Sequence, residues 1–370
     1  MTVDSPVDVA HAADEVTAAD AHPVVARVRN YADSVLRPAA LRTDSDGVTP
    51  ERIDELSVLG LLNHQAPADH GGAALGRNPD RRIHEIISGA CFNTWLVWAQ
   101  HAPMVGRLLA EQRKGRVLSS IGDDVVHGRV LVGAAVSDVR RFPDHFIRAR
   151  RHSGGWEFAG TISWVSGWGL NSALVVSAVE SSTERVITAL VPVGAWTRST
   201  HLDLSAVAGS RTERVTLDRV YVPEDEVLTI QSLAEWRIED LDTASDARAQ
   251  HFGLAQTVLA ELEAADHPGA RRVAEVWRPR IGLIRAEAYG LADEAKAAGD
   301  GRHRLDERLA VKVASGEALT TITRALLVAR SGRGIGSDDT AQLHARSALF
   351  VLVQGQSVGV RSAQLAALAR

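Results

Sequence analysis

The sequence predicts an α+β fold in three parts: an N-terminal helical domain, a middle antiparallel β domain and a C-terminal four-helix bundle. Three observations carry this. From Val24 to about Gly128 apolar residues recur at every third or fourth position, as in Val25, Val28, Tyr31, Ala32 and Leu36, then Ile53, Leu56, Leu59 and Leu62. That period is the stripe of a helix facing a core. After Gly128 the chain changes to short runs rich in Val, Ile, Thr and aromatic residues between Gly, Pro, Asn and Ser, as strands require. From about Leu233 the helical period returns and holds to the end.

Residues 1–21 are acidic and Ala/Val-rich. They lack the basic start and apolar core of a signal peptide and are expected to be a flexible N-terminus. In the helical domain, residues 22–128, Thr49 is a candidate N-cap before Pro50, and Gly60 stands near that helix's end. Pro67 to Gly72 is a turn-rich break, and Thr94-Trp95-Leu96-Val97-Trp98 is an apolar helical segment. The β domain, residues 129–230, shows strand-like runs at Arg129 to Val136, Trp156 to Gly160, Ala173 to Val179, Val186 to Val191 and Arg214 to Leu217. Their lengths suit a small antiparallel sandwich or barrel. The bundle, residues 231–370, is interrupted at Pro268 to Ala270, Gly299 to Gly301 and Ser331 to Gly336. Strands cannot bury their inner face alone and both helical blocks carry apolar stripes, so the blocks should pack together with the β domain at one side. A cleft at that junction is the expected cofactor site.

Composition narrows the function. At 370 residues, 45% of them hydrophobic, the chain can fill two or three cores without staples. A formal charge of -5 leaves no electrostatic footprint for nucleic acid, and no run of like charges seeks a membrane surface. No apolar run approaches the ~20 residues that span a bilayer. The single cysteine, Cys91, excludes an internal disulfide framework and a Cys-rich metal site. His101 and His344 have no second ligand at metal spacing, so they are expected to be satisfied polar side chains and no metal is expected. These features point to a cytoplasmic protein that handles small molecules.

Several stretches keep a recognisable order and spacing. They are Leu59-Gly60-Leu61-Leu62 with Pro67-Ala68-Asp69-His70-Gly71-Gly72, Cys91-Phe92-Asn93-Thr94-Trp95 with Gln100-His101, and Gly154 to Ser166 with its Trp164-Val165-Ser166 end. Gly209-Ser210-Arg211-Thr212 through Val222-Pro223, Gly253-Leu254-Ala255-Gln256, Ala310-Val311-Lys312, Arg330 to Gly336 and Arg346 to Gln356 follow. Together, from about residue 22 to 370, they resemble the acyl-CoA dehydrogenase superfamily, including its flavin monooxygenase branch.

The resemblance implies a flavoprotein oxidoreductase with FAD, or FMN, as cofactor and an acyl thioester on CoA or acyl carrier protein as substrate. It also implies a homo-oligomer, or a hetero-oligomer with a paralogue. By position it implies that Trp164 and Ser166 frame the flavin, that Ser137 bonds the ring edge and that Arg346 belongs to the cofactor-binding set. Gln354 stands where the family has its catalytic glutamate. Removing a proton alpha to a thioester needs a carboxylate base, and a carboxamide has no proton acceptor near neutral pH. Some members carry the base on the first helix of the last domain, a position that falls on Thr243 between Asp242 and Asp246, which are therefore candidate replacements. Ile162 replaces the lysine of the hairpin pattern, Ala265 to Arg272 replaces the Arg-x-x-Phe-Gly turn, and Val136-Ser137-Asp138 shortens the phosphate-binding loop. Three reactions follow: thioester dehydrogenation, flavin-dependent oxygenation, or support of an active paralogue by a degenerate subunit. By default, Arg346 is an ion-pair partner, Asp242 and Asp246 are solvated helix residues, and Gly332, Gly334 and Gly336 form a helix-to-helix turn.

Overall fold

The computed structural model describes residues 18–194 and 197–369, with Thr243 described in its backbone alone. Among the described residues, seven helices from Pro23 onward form the N-terminal block. Helix α1 (Pro23–Tyr31) runs through a π turn at Ala32–Leu36 into α2 (Arg37–Asp46), followed by α3 (Pro50–Val58), α4 (Arg77–Ala90), α5 (Phe92–Trp98), α6 (Ala102–Arg113) and α7 (Ser120–Val126). Thr49 caps α3 by accepting from the Arg52 backbone N–H, which satisfies a donor that the helix leaves orphaned. Every residue of α5 is buried.

Eight strands follow: β1 (Val132–Ala135), β2 (Arg148–His152), β3 (Gly155–Val165), β4 (Ala173–Glu180), β5 (Arg185–Pro192), β6 (Thr197–His201), β7 (Glu213–Pro223) and β8 (Val227–Ser232). They form one sheet in the order β6-β7-β3-β2-β4-β5-β8, with β1 beside β4. Most pairings are antiparallel, as the sequence predicts. The exceptions are β1 with β4 and a single step of β2 with β4, both parallel.

The C-terminal block comprises α8 (Leu233–Ala244), α9 (Ala249–Glu263), α10 (Pro268–Ala298), α11 (Leu305–Arg330), α12 (Thr340–Val353) and α13 (Val358–Leu368). Helix α8 starts at a capping box made by Ser232 and Glu235. Helices α9 to α12 pack on one another as the four-helix bundle, and α13 lies against α11. The two helical blocks share one hydrophobic core, which runs from Val24 through α4, α5 and α9 to α12, while the sheet has its own.

Glycine makes the closest join possible. A Cβ at Gly253 of α9 would lie 2.1 Å from the Glu85 carbonyl of α4, and one at Gly89 would lie 2.5 Å from the Gly253 carbonyl. Beside this contact the buried Glu85 carboxylate accepts from Arg285 Nε (2.6 Å), Tyr289 OH (2.7 Å) and Arg82 (2.9 Å), so its charge is paired on every side. His101 joins α5 and α6 to the sheet: its Nε2 bonds the Leu62 carbonyl (2.5 Å) and its Nδ1 accepts from Val132 N–H (3.1 Å). Burial pushes its pKa down to about 4, so it is the neutral, satisfied histidine that its isolation in sequence suggests. His344 likewise has a protein partner, Glu261, at 2.9 Å.

Candidate active site at the junction of sheet and bundle

Trp164 is aimed by a defect in the sheet. Ile162 pairs with Val215 and Val165 with Glu213, so three steps on β3 face two on β7. The extra residue is a β-bulge, which re-aims side chains locally. Ile162, where the family pattern has lysine, points into the sheet's core, while Trp164 is 44% exposed. Its ring centroid lies 6.5 Å from that of Phe350 on α12. Phe350 in turn meets Phe92 edge-on at 6.0 Å, and Phe92 lies 5.0 Å from Trp95. One row of aromatic rings thus ties the β domain, the bundle and α5 together.

A carboxylate latch holds the bulge. Asp138, 3% exposed, accepts from Ser163 N–H (2.8 Å) and from Ser163 Oγ–H (2.7 Å). Arg141 donates to the same Ser163 oxygen at 3.0 Å, and His145 Nε2 lies 3.1 Å from it. Ser137, exposed at the head of a short 3-10 turn (Ser137–Arg141), is one residue from one side of the latch, and Trp164 is one residue from the other. The sequence singled out both neighbours and missed the latch. A lone Asp after a strand reads as a turn former, and only the fold brings Ser163 to it.

Ser166 is buried. Its hydroxyl shares a 2.7 Å hydrogen bond with Thr212, which shares another of 2.7 Å with Ser210. Asn171 donates to the Ser166 carbonyl at 2.9 Å, yet its own Oδ1 is buried without a partner. Arg346 acts as a cross-brace. Its guanidinium donates to Gln342 Oε1 (2.6 Å), the Ser205 carbonyl (2.9 Å) and Asp44 Oδ2 (2.7 Å). Each of the three guanidinium nitrogens of Arg346 thus has one protein acceptor, and its acidic partner, Asp44, lies in α2 rather than in the bundle.

Gln354 caps α12. Its N–H donates to the Phe350 carbonyl (2.9 Å), and Gly355 at φ +68° turns the chain back, a conformation that costs glycine no Cβ clash. Its Oε1 accepts from Gln250 Nε2 at 2.9 Å. Gln250 sits in the first turn of α9, 6% exposed, and went unnoticed in the sequence because it precedes the Gly253-Leu254 stretch that marks the helix. Beneath lies Lys312, 5% exposed, which donates to the Ala244 carbonyl, with Nζ 3.9 Å from where a Gly355 Cβ would be. Burial, then the charges of Arg248 and Arg140, lower the Lys312 pKa to about 7.

The candidate replacement bases are engaged elsewhere. Asp246 accepts from Arg308 Nε at 2.6 Å, and Asp242 lies 3.5 Å from another nitrogen of the same buried guanidinium. Asp246, with 11% of its side chain exposed, is thus held by the buried Arg308 rather than solvated, whereas Asp242 keeps 47% of its side chain exposed. Thr243, the matched position itself, has no described side chain. Among the described residues no group of three or more His, Cys, Asp or Glu could hold a metal, and no helix is long and apolar enough to cross a membrane.

These residues fit the ring end of a flavin. Trp164 offers an exposed aromatic face, Ser137 a hydroxyl at the neighbouring edge, and Asn171 a buried oxygen that lacks an N–H donor.

Comparison with known proteins agrees with this geometry. Residues 19–121 match the acyl-CoA dehydrogenase N-terminal domain. No curated protein sequence matches the chain significantly. Butyryl-CoA dehydrogenase from Megasphaera elsdenii is similar in structure, with TM-score 0.76, 16% identity and all of both chains covered. A glutaryl-CoA dehydrogenase from Mycobacterium smegmatis in complex with FADH2 gives 0.73 at 17% identity over 93% of each chain. The FAD complex of PigA gives 0.74 at 12% identity, over 94% of this chain and 96% of that one. Residues 19–121 thus carry the acyl-CoA dehydrogenase N-terminal domain, and the chain as a whole has the fold of these dehydrogenases.

Proposed function

We propose that this chain is a flavin-dependent oxidoreductase acting on an acyl thioester, carried on CoA or an acyl carrier protein, with FAD or FMN against Trp164. One observation carries the reading: the Asp138–Ser163 latch brings Ser137 and Trp164 to one edge, where Trp164 meets Phe350, one helical turn from Gln354. Bound there, a flavin supplies the hydride-accepting ring. The chain's own work is to orient. Trp164 walls the ring, Ser137 bonds its edge, Asn171 accepts an N–H, and Gln354 hydrogen-bonds the acyl group. The division at 22–128, 129–230 and 231–370 places this site between the second and third parts.

The carboxamide pair of Gln354 and Gln250 favours a second reading. With no carboxylate in that pair, no alpha proton has an obvious acceptor, which suits a flavin monooxygenase of this fold. A degenerate subunit paired with an active paralogue would share the feature. Self-association or pairing has a candidate surface: Leu349, Val353, Val358, Leu365 and Leu368 of α12 and α13 are all exposed.

The visible spectrum of the purified protein, followed by anaerobic titration with acyl-CoAs, tests this. Bound flavin that bleaches on adding a thioester supports dehydrogenation. Oxygen uptake with supplied reduced flavin, without bleaching, moves the reading to a monooxygenase. A colourless protein that takes up neither FAD nor FMN refutes both.

A further inference from the structure

We propose that Gln250 fixes the polarity of Gln354, so that position 354 offers an N–H donor to an oxygen of the bound acyl group. The inference rests on the acyl-thioester reading above and adds the substrate feature selected. A carboxamide has one accepting end and one donating end. The Gln354 oxygen is taken by Gln250 Nε2 at 2.9 Å, which leaves the Gln354 NH2 as the end available to a ligand. The backbones of both residues are held in place. Gln250 is buried in the first turn of α9, and the backbone of Gln354 is pinned between its bond to Phe350 and the turn at Gly355.

The charge of Lys312 acts in the same direction. Lys312 lies against Gly355, while Arg308, one helical turn before it on α11, is matched by Asp246 and Asp242. A protonated Lys312 favours an oxygen carrying partial negative charge over an ammonium or a bare methylene. The position should therefore select acyl groups with an acceptor oxygen beside the reacting carbon. Gln250 does not itself touch the acyl group in this arrangement, and is a positioning residue.

The test is calorimetric titration of the flavin-loaded protein with 3-oxobutyryl-CoA and with crotonyl-CoA, which lacks that oxygen. One matched hydrogen bond predicts about tenfold tighter binding of the oxo ester by the wild type. Gln250→Glu offers only acceptors, so Gln354 must turn its NH2 inward and its oxygen outward, and the preference should fall to within about twofold. Gln250→Met, which adds no charge, should reduce the preference partly while far-UV circular dichroism stays unchanged. Equal preference in both variants and the wild type, with loss in Gln354→Ala, overturns the role of Gln250 and leaves the acyl site standing. If the wild type binds neither ester, the acyl-thioester reading fails and this inference with it.

Discussion

Removing the Asp138 latch should cost stability and flavin affinity together. Its carboxylate accepts two hydrogen bonds, 2.7 and 2.8 Å, from Ser163, and it is almost wholly buried. A hydrogen bond to a charged group contributes about 1.5–3 kcal/mol net. Ser163 is only half-buried and can turn in part to water, so Asp138→Ala should destabilise the protein by about 2–4 kcal/mol rather than by the full sum. Asp138→Asn keeps one accepting oxygen and should cost about 1 kcal/mol, the size of a neutral bond. The bulge that aims Trp164 lies one residue away, so its loosening should weaken flavin binding by about tenfold, the value of one aromatic contact. Trp164→Ala should show the affinity loss without the stability loss, because that side chain is substantially exposed. Urea unfolding followed by circular dichroism measures the first quantity and flavin fluorescence titration the second. Asp138→Ala within 0.5 kcal/mol of the wild type, or unchanged flavin affinity in both alanine variants, refutes the latch; that limit is about the noise of a surface substitution.

Gln354→Glu places a carboxylate within reach of the Gln250 N–H, and should raise the rate of anaerobic flavin bleaching by acyl-CoA about 10²–10⁴-fold, the usual share of a general base. Unchanged rates across a panel of chain lengths would count against that placement. Lys312 has a folded pKa of about 7 against the ordinary lysine value of 10.5. Between those values the unfolded chain holds the proton that the folded one has released, so the Lys312 contribution to stability rises with pH from about 7 and levels off near 10.5. Lys312→Met should therefore gain most over the wild type below pH 7 and lose that margin toward pH 10; a margin flat with pH would contradict the buried titration. Leu365→Glu puts a charge on the exposed apolar face of α12 and α13 and should lower the apparent mass in sedimentation if that face joins subunits, whereas an unchanged mass would place the interface elsewhere.

The fold was legible where local chemistry decides it. Thr49 before Pro50 and the return of helical period at Leu233 correspond to observed helix starts, whereas Pro268 to Ala270, read as an interruption, is the first turn of α10. Strand β8 was not read, and neither were β2 and β6. The residues of the latter two, Arg148 to His152 and Thr197 to His201, are mostly polar and exposed, so no alternation marks them. Their place in the sheet comes from pairing with β3 and β7. The parallel pairing of β1 with β4 was hidden for the same reason, since register between distant strands leaves no local trace. Within the site, positions 137, 164 and 354 came from resemblance, whereas Asp138, Ser163 and Gln250 act through contacts across 25 and 104 residues of sequence.

Gln354 and the buried lysine are linked. Position 354 stands next to Gly355, against which Lys312 Nζ lies, and the acids that act on Lys312, Asp246 and Asp240, are engaged by Arg308 and Arg140. With glutamine at 354, Lys312 has a carbonyl as its acceptor and other cations around it, which is why burial prevails and its pKa falls. A glutamate there would bring an opposite charge close to the ammonium and favour the protonated form. Gln354→Glu should therefore move the pH-dependent rise in stability upward, from its onset near 7 toward the ordinary lysine range, even in protein stripped of flavin. If that onset does not move, Gln354 and Lys312 are not coupled, and the Lys312 charge invoked for an oxygen-bearing acyl group loses its support.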